Sequence, residues 1–161
     1  MESSITQPDY SLIGWRERVA LPDLGIASIT AKTDTGAFSS SIHALSIESF
    51  KFEGDDWVRF DVLTSRKSDT DLVPCEAPVV ARRNVKSSDG AVAERIFILT
   101  RIILGKRSWD IEMSLSNRST MGYRMLLGRT AIRGRFLVDA NRSFLAGRAL
   151  VTSGTSLGAR I

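Results

Sequence analysis

Asp34 ends a β-favouring run, Ile29-Thr30-Ala31-Lys32-Thr33, and is followed at once by Thr35-Gly36-Ala37. These residue types suit a carboxylate that must be held still and left accessible. Gly36 has no Cβ, so its N–H can reach a neighbouring carboxylate oxygen. The Thr35 hydroxyl can hydrogen-bond locally and fix the loop. Such a carboxylate can take a proton from water when a second carboxyl group lies about 3 Å away and the pair shares one proton. The chain has a single Asp-Thr-Gly, and Ser88-Asp89-Gly90 falls in an expected turn. A dyad therefore needs two copies of the chain, with a twofold axis bringing their Asp34 side chains together.

The elements that must position this loop read as strands. Residues 13–21 and 26–33 are separated by Pro22-Asp23-Leu24-Gly25. Residues 42–52 and 57–64 are expected to form a hairpin turned at Glu53-Gly54-Asp55-Asp56, followed by a polar loop at 65–71. Pro74 and Pro78 bracket an edge segment around Cys75. Residues 79–86 and 91–100 flank Ser87-Ser88-Asp89-Gly90, where Asp-Gly is a strong hairpin signal because both turn positions favour φ > 0. Residues 101–105 and 109–115 form another pair. A last hairpin is expected from 135–138 and 143–145, with Phe136 and Phe144 in the core. Eight or more short strands, and one helical turn from Thr130 to Arg133 stopped by Gly134, give an all-β fold closed or partly closed as a barrel. The domain spans 13–148, between flexible ends at 1–12 and 149–161.

A second segment, Tyr123-Arg124-Met125-Leu126-Leu127-Gly128-Arg129, follows about ninety residues after the first. Together they resemble retropepsins: strand-Asp-Thr-Gly-Ala, then two apolar residues, Gly and Arg before a short helix. Ala31 to Ala37 leading to Ser41-Ile42-His43-Ala44 narrows the likeness. So do Arg82-Arg83-Asn84-Val85-Lys86-Ser87-Ser88-Asp89-Gly90, Glu112-Met113-Ser114-Leu115-Ser116-Asn117-Arg118, Met121 to Arg129, and Phe136-Leu137-Val138-Asp139. Over roughly 13–148 the chain resembles the bacterial retropepsin-like proteins often labelled "ATP-dependent zinc protease". Those proteins are associated with ATP-grasp glutamate ligases of the ribosomal-protein-modifying type.

The resemblance implies an all-β, retropepsin-like closed β-barrel with one short C-terminal helix, working as a homodimer. Asp34 would be catalytic, with Thr35 and Gly36 as its scaffold. Ser87, Ser88, Asp89 and Gly90 would be the tip of a flap over the substrate. Leu126 and Leu127 would pack under the Asp34 loop, and Gly128 would permit close contact beside Arg129. Ala37 replaces the hydroxyl residue of pepsin-like sites, so it cannot hold the carboxylate charged, and the dyad should titrate higher. Two positions depart from the retroviral pattern. Lys32 replaces an apolar residue and, by strand alternation, shares the Asp34 face, where it would favour an acidic substrate; twist carrying it out to solvent is the alternative. Phe38 replaces an Asp that pairs with the motif arginine, which leaves Glu17 or Asp139 as acids for Arg129.

With 161 residues, 43% apolar and 25% charged, the chain has the composition of one soluble globular domain. Cys75 is the only cysteine, which excludes an intrachain disulfide and fits a reducing cytoplasm. Asp9, Arg16, Glu17, Arg18 and Asp23 interrupt the first thirty residues, so no signal peptide is expected, and no stretch approaches the ~20 apolar residues of a membrane span. One histidine and one cysteine, without His-Glu-x-x-His, leave no expected metal site. His43 reads as a capping or core residue. No phosphate-binding Gly-rich loop appears, so no cofactor is expected, and any ATP dependence would come from a partner. The net charge of +4 reads as a solvated basic face or attraction to an acidic partner. Nucleic-acid binding would need a stacking platform that the arginine-rich 124–148 region lacks, and strong salt dependence would be its mark. The readings are a homodimeric aspartic endopeptidase acting on acidic or glutamate-rich segments, or a non-catalytic module that docks on or regulates a glutamate ligase.

Overall fold

The computed structural model describes residues 10–65, 71–86, 89–118 and 122–147. Most of them lie in strands: β1 (Ser11–Gly14), β2 (Arg16–Leu21), β3 (Ile26–Asp34), β4 (Ser40–His43), β5 (Leu45–Phe52), β6 (Asp55–Leu63), β7 (Leu72–Lys86), β8 (Val92–Leu104), β9 (Arg107–Ser116), β10 (Met125–Gly128) and β11 (Phe136–Asp139). One helical turn, α1 (Arg129–Ile132), and a 3-10 turn at Pro22–Leu24 complete the elements. Among the described residues no helix is long and apolar enough to cross a membrane.

Nine strands join in the order β2-β3-β10-β4-β9-β8-β7-β6-β5, and Ala20 of β2 also pairs with Ile103 of β8. Hydrogen bonds thus run in a ring through β2, β3, β10, β4, β9 and β8, with β7, β6 and β5 as a branch. Two contacts in the ring are parallel, β3 with β10 and β4 with β9. The ring closes on fully buried side chains such as Ile29, Ile42, Ile98, Ile102, Met113 and Leu127. Each contributes about 1.5–3 kcal/mol relative to exposure.

Turn chemistry explains the hairpins. Glu53 and Gly54 both have positive φ (52° and 85°), and Phe52 pairs with Asp55. The loop is therefore a two-residue turn of the kind that matches strand twist, tighter than the four residues expected. Gly90 has φ 89°, and the Asp89 Oδ1 accepts the Ala91 N–H at 3.0 Å. Ser87 and Ser88 lie outside the described residues. β7 pairs with β6 through 72–78 and with β8 through 79–86. Pro74 and Pro78 therefore occupy the half that has no β8 partner, where a missing N–H costs little.

Several expected elements differ, and the strands expected at 91–100 and 101–105 are one continuous strand, β8. The strand expected at 13–21 breaks at Trp15, whose N–H donates to the Arg142 carbonyl at 2.9 Å. The strand expected at 42–52 is interrupted at Ala44, whose N–H donates to Ser116 at 3.0 Å. Residues 143–145 do not pair back on β11, which instead lies parallel to β1 from Ser11↔Phe136 to Gly14↔Asp139. That last segment crosses the β1–β2 corner. There the Phe144 N–H donates to Arg16 O at 3.0 Å, and the fully buried Glu17 carboxylate accepts from Leu145 N at 2.7 Å and Ala146 N at 3.2 Å. A buried carboxylate with several N–H donors outcompetes a short hairpin. Phe136 is buried as expected, but Phe144 is exposed with its ring against the Arg16 guanidinium.

Candidate active site

Asp34 ends β3, half-buried, at the point where β10 lies alongside in parallel with Gly128 opposite Asp34. Its Oδ1 accepts the Gly36 N–H at 3.0 Å and the Ala37 N–H at 3.2 Å. A Cβ on residue 36 would sit 3.3 Å from that same oxygen, so glycine keeps the approach open. No donor among the described residues reaches Oδ2, which leaves one carboxylate oxygen for an external partner. The Thr33 N–H and hydroxyl donate to Trp15 O at 2.8 Å and Gly14 O at 3.0 Å, anchoring the strand before it turns.

Behind the loop stand β10 and α1. Arg129 N donates to Ala37 O at 2.7 Å and Thr130 N to Phe38 O at 3.1 Å. The first N–H groups of α1 thereby find acceptors in the Asp34 loop. Gly128 N donates to the buried Ser40 hydroxyl at 2.9 Å, and a Cβ on residue 128 would run into the Ser39 backbone. Leu127 is fully buried opposite Thr33, whereas Leu126 is half-buried opposite Lys32.

Arg129 does not pair with Glu17 or Asp139. Its Nη1 donates to Thr35 O at 2.8 Å, and its guanidinium lies 5.8 Å from the exposed Phe38 ring, with that of Arg133 at 5.9 Å. A backbone carbonyl and an aromatic face replace the expected acid. Glu17 is committed to backbone N–H groups, and Asp139 bonds Asn141 N at 2.8 Å and Arg142 at 3.3 Å. Lys32 is exposed on β3, between Arg16 of β2 and Leu126 of β10.

Arg118 is a site residue that the sequence did not single out. It follows β9, and its guanidinium is close enough to Asp34 for that carboxylate to raise its pKa against the larger lowering by burial. Arg118 Nε donates to Tyr123 O at 3.1 Å, and its backbone N–H donates to His43 Nδ1 at 2.8 Å. His43, at the end of β4, is 2% exposed. Accepting at Nδ1 requires the neutral ring with its proton on Nε2. Burial lowers the His43 pKa below its ordinary 6.5; a hydrogen bond to the Ser116 backbone opposes this, and the charges of Arg124 and Arg118 add to it. The unfolded chain therefore takes up this proton first. The stability from a neutral His43 is full above about pH 6.5 and is lost as pH falls toward the lower folded value. The melting temperature is expected to drop between about pH 7.5 and pH 5.5, and by less in His43→Asn, whose amide oxygen can replace Nδ1. Parallel pH profiles for the two proteins would remove His43 from this role.

A cavity of about 690 Å³ lies between the Asp34 loop (Phe38, Ser39), the base of the β7–β8 hairpin (Arg83, Phe97) and β9 (Trp109), with Arg135 on its wall. Arg83 stacks on Phe97 at 4.4 Å and Arg135 on Trp109 at 5.0 Å, so its cations are carried on aromatic faces. Cys75 is elsewhere. Its thiol is buried, pushed up to about 12 by burial and then by Asp61, and is not nucleophilic at neutral pH. Among the described residues no three His, Cys, Asp or Glu side chains converge on a metal-sized site.

Comparison with known proteins gives this geometry a context. The sequence profile of the RimB-like family, described as "Retropepsin-like aspartic endopeptidase RimB", matches residues 12–149. A protein of Shewanella halifaxensis named "Probable alpha-L-glutamate ligase" is 45% identical over 137 residues, covering 85% of this chain. A protein of Parasynechococcus marenigrum with the same name is 40% identical over 84% of the chain. The chain spans only about 30% of the length of these relatives. The crystal structure of Lpg0085 from Legionella pneumophila, a protein of unknown function, superposes with a TM-score of 0.71 at 31% identity. That likeness covers 84% of this chain and 98% of the other.

Proposed function

The chain belongs to the RimB-like family of retropepsin-like aspartic endopeptidases, and on that premise we propose that it is a homodimeric aspartic endopeptidase with one Asp34 per subunit. The observation that carries the reading is the half-buried Asp34 carboxylate, with Oδ1 held by two backbone N–H groups and no donor among the described residues on Oδ2. In the dimer one ionised Asp34 takes a proton from water as that water attacks the peptide carbonyl. The protonated partner Asp34 donates toward the carbonyl oxygen, and the leaving amine is protonated as the C–N bond breaks. Thr35 and Gly36 scaffold the carboxylate, and Leu126, Leu127, Gly128 and Arg129 back the loop. Ala37 lines the substrate side and leaves the dyad without a hydroxyl donor, which suits work near neutral pH in the cytoplasm. The β7–β8 hairpin, with Asp89 and Gly90 at its described tip, serves as the flap over an extended peptide, and the cavity beside Phe38 accepts a side chain.

The substrate class we assign is acidic or glutamate-rich protein segments, with Lys32 as selector. Relatives named as glutamate ligases support a partner or substrate on which glutamates are appended. Once substrate covers Lys32, a charge-assisted hydrogen bond to a carboxylate gives roughly a ten- to hundredfold preference. Wild type should cleave peptides with Glu beside the scissile bond faster than matched Gln peptides, and Lys32→Met should lose the difference. A preference that survives Lys32→Met moves the selector elsewhere. Chelation should leave cleavage unchanged; loss in EDTA restored by zinc would overturn the metal-free mechanism.

A second reading, a non-catalytic module that regulates a glutamate ligase, draws on the same relatives, of whose length the match covers about 30%. Purified dimer that never cleaves acidic peptides, yet binds the ligase, would favour it.

A further inference from the structure

Among the described residues several arginines pair with carboxylates: Arg59 with Glu48 and Glu76, Arg82 with Asp56 and Glu94, Arg83 with Glu112, Arg101 with Asp110, and Arg142 with Asp139. Arg16 and Arg18 on β2 do not. Among the described residues their side-chain hydrogen bonds all go to neutral hydroxyls. Arg18 donates to Ser28 Oγ at 2.9 Å and Thr30 Oγ1 at 3.0 Å. Arg16 donates to Tyr123 OH at 2.8 Å and Ser143 Oγ at 3.2 Å, and its guanidinium lies against the rings of Trp15 at 4.6 Å and Phe144 at 5.0 Å. These contacts orient two cations without neutralising either. Both line a cavity of about 500 Å³ with Ser28, Thr30, Thr64 and Ser65; among the described residues Asp71 is the one acid on its wall.

The register ties this cavity to Asp34. Arg16 lies opposite Lys32 and Arg18 opposite Thr30, and directly opposed residues in a sheet share a face. Thr30, Lys32 and Asp34 alternate along one side of β3, so Arg18, Arg16, Lys32 and Asp34 follow one another on a single surface. From Thr30 to Asp34 the strand advances about 13 Å. An extended peptide covers that distance in about four residues.

We propose that Arg16 and Arg18 form a second carboxylate-binding site, which docks an acidic side chain of the substrate about four residues from the bond addressed by Asp34. It deepens the acidic-substrate reading given above and rests on that reading for its register. The fixed guanidinium forks suit carboxylates held by two parallel hydrogen bonds, which Lys32 cannot form. Lys32 then selects next to the reaction, and the arginine pair measures how far the acidic run extends.

Binding tests the site without hydrolysis. In the Asp34→Asn protein, a fluorescent peptide of about eight glutamates should bind by anisotropy, and Arg18→Gln should weaken it about tenfold. Adding Arg16→Gln should weaken it further, while Arg101→Gln should change it by less than about twofold. Arg18→Lys should recover only part of the loss, because charge returns without the fork. Arg16 also ties Tyr123 and Ser143, so melting curves accompany each variant, and Arg18→Gln alone decides if the double variant unfolds. Unchanged affinity in Arg18→Gln would overturn the proposal. Tighter binding of an oligouridine that is lost on the same substitutions would also overturn it, in favour of a phosphate site. Arginine-dependent peptide binding by a protein that never cleaves would retire the protease while leaving the carboxylate site standing.

Discussion

Asp34→Asn is expected to lower peptide hydrolysis by at least about a thousandfold while leaving the melting temperature within about 2 °C of wild type. The amide keeps an oxygen at Oδ1, so the Gly36 and Ala37 N–H groups retain their acceptor. On the proposed mechanism, what is lost is the group that accepts a proton from water and shares one with its twofold mate. The same substitution also tests the assembly. If each dimer needs two carboxylates, excess Asp34→Asn subunits exchanged into wild type should suppress activity well beyond simple dilution. Activity that falls only by dilution would mean that each chain carries a complete site, and equal cleavage by wild type and variant would remove Asp34 from the chemistry.

The largest loss of stability is expected at Glu17, far from that chemistry in role. Its carboxylate accepts Gly14 N at 2.7 Å, Leu145 N at 2.7 Å and Ala146 N at 3.2 Å, and it is 0% exposed. Glu17→Ala strands these N–H groups, each costing about 1–3 kcal/mol when buried without a partner. A total of about 4 kcal/mol or more corresponds to a fall in melting temperature on the order of 10 °C for a chain of this size. Glu17→Gln, which keeps acceptor oxygen but not charge, should fall between. Thermal melts decide it: a Glu17→Ala protein within about 2 °C of wild type would show that water readily replaces the carboxylate.

The parts of this architecture legible in the sequence are those set by local chemistry. Asp-Thr-Gly announces a carboxylate beside a glycine N–H, and Gly54 and Gly90 announce turns through the tolerance of glycine for positive φ. Gly128 is legible as a close approach, though what it approaches, the Ser39 backbone, is not. Apart from the length of the turn at Glu53-Gly54, the main misses are non-local. The break at Trp15 answers to a carbonyl 127 positions away, at Arg142. Residues 143–145 look like a strand but follow Glu17, because alternation says nothing about which acceptor a backbone N–H will find. Arg129 seemed to need an acid once Phe38 replaced one, yet a carbonyl and a ring suffice. Arg118 lies in a stretch that carries the family likeness but is not singled out within it, since its place beside Asp34 depends on His43 holding its backbone from another strand.

The parallel pairing of β3 with β10 also sets a timetable. Ala31 and Met125 are partners 94 positions apart, and contacts of such long range form late because loop closure must precede them. The turn carrying Asp34 is fastened by the amides of Arg129 and Thr130. On a ribosome, a chain that has emerged only as far as the β8–β9 hairpin holds most of its strands but lacks the fastening of the Asp34 turn. The carboxylate is set in place only after Arg129 and Thr130 have been made, so the partly built protein lacks the finished site while its own unfolded segments are still exposed nearby.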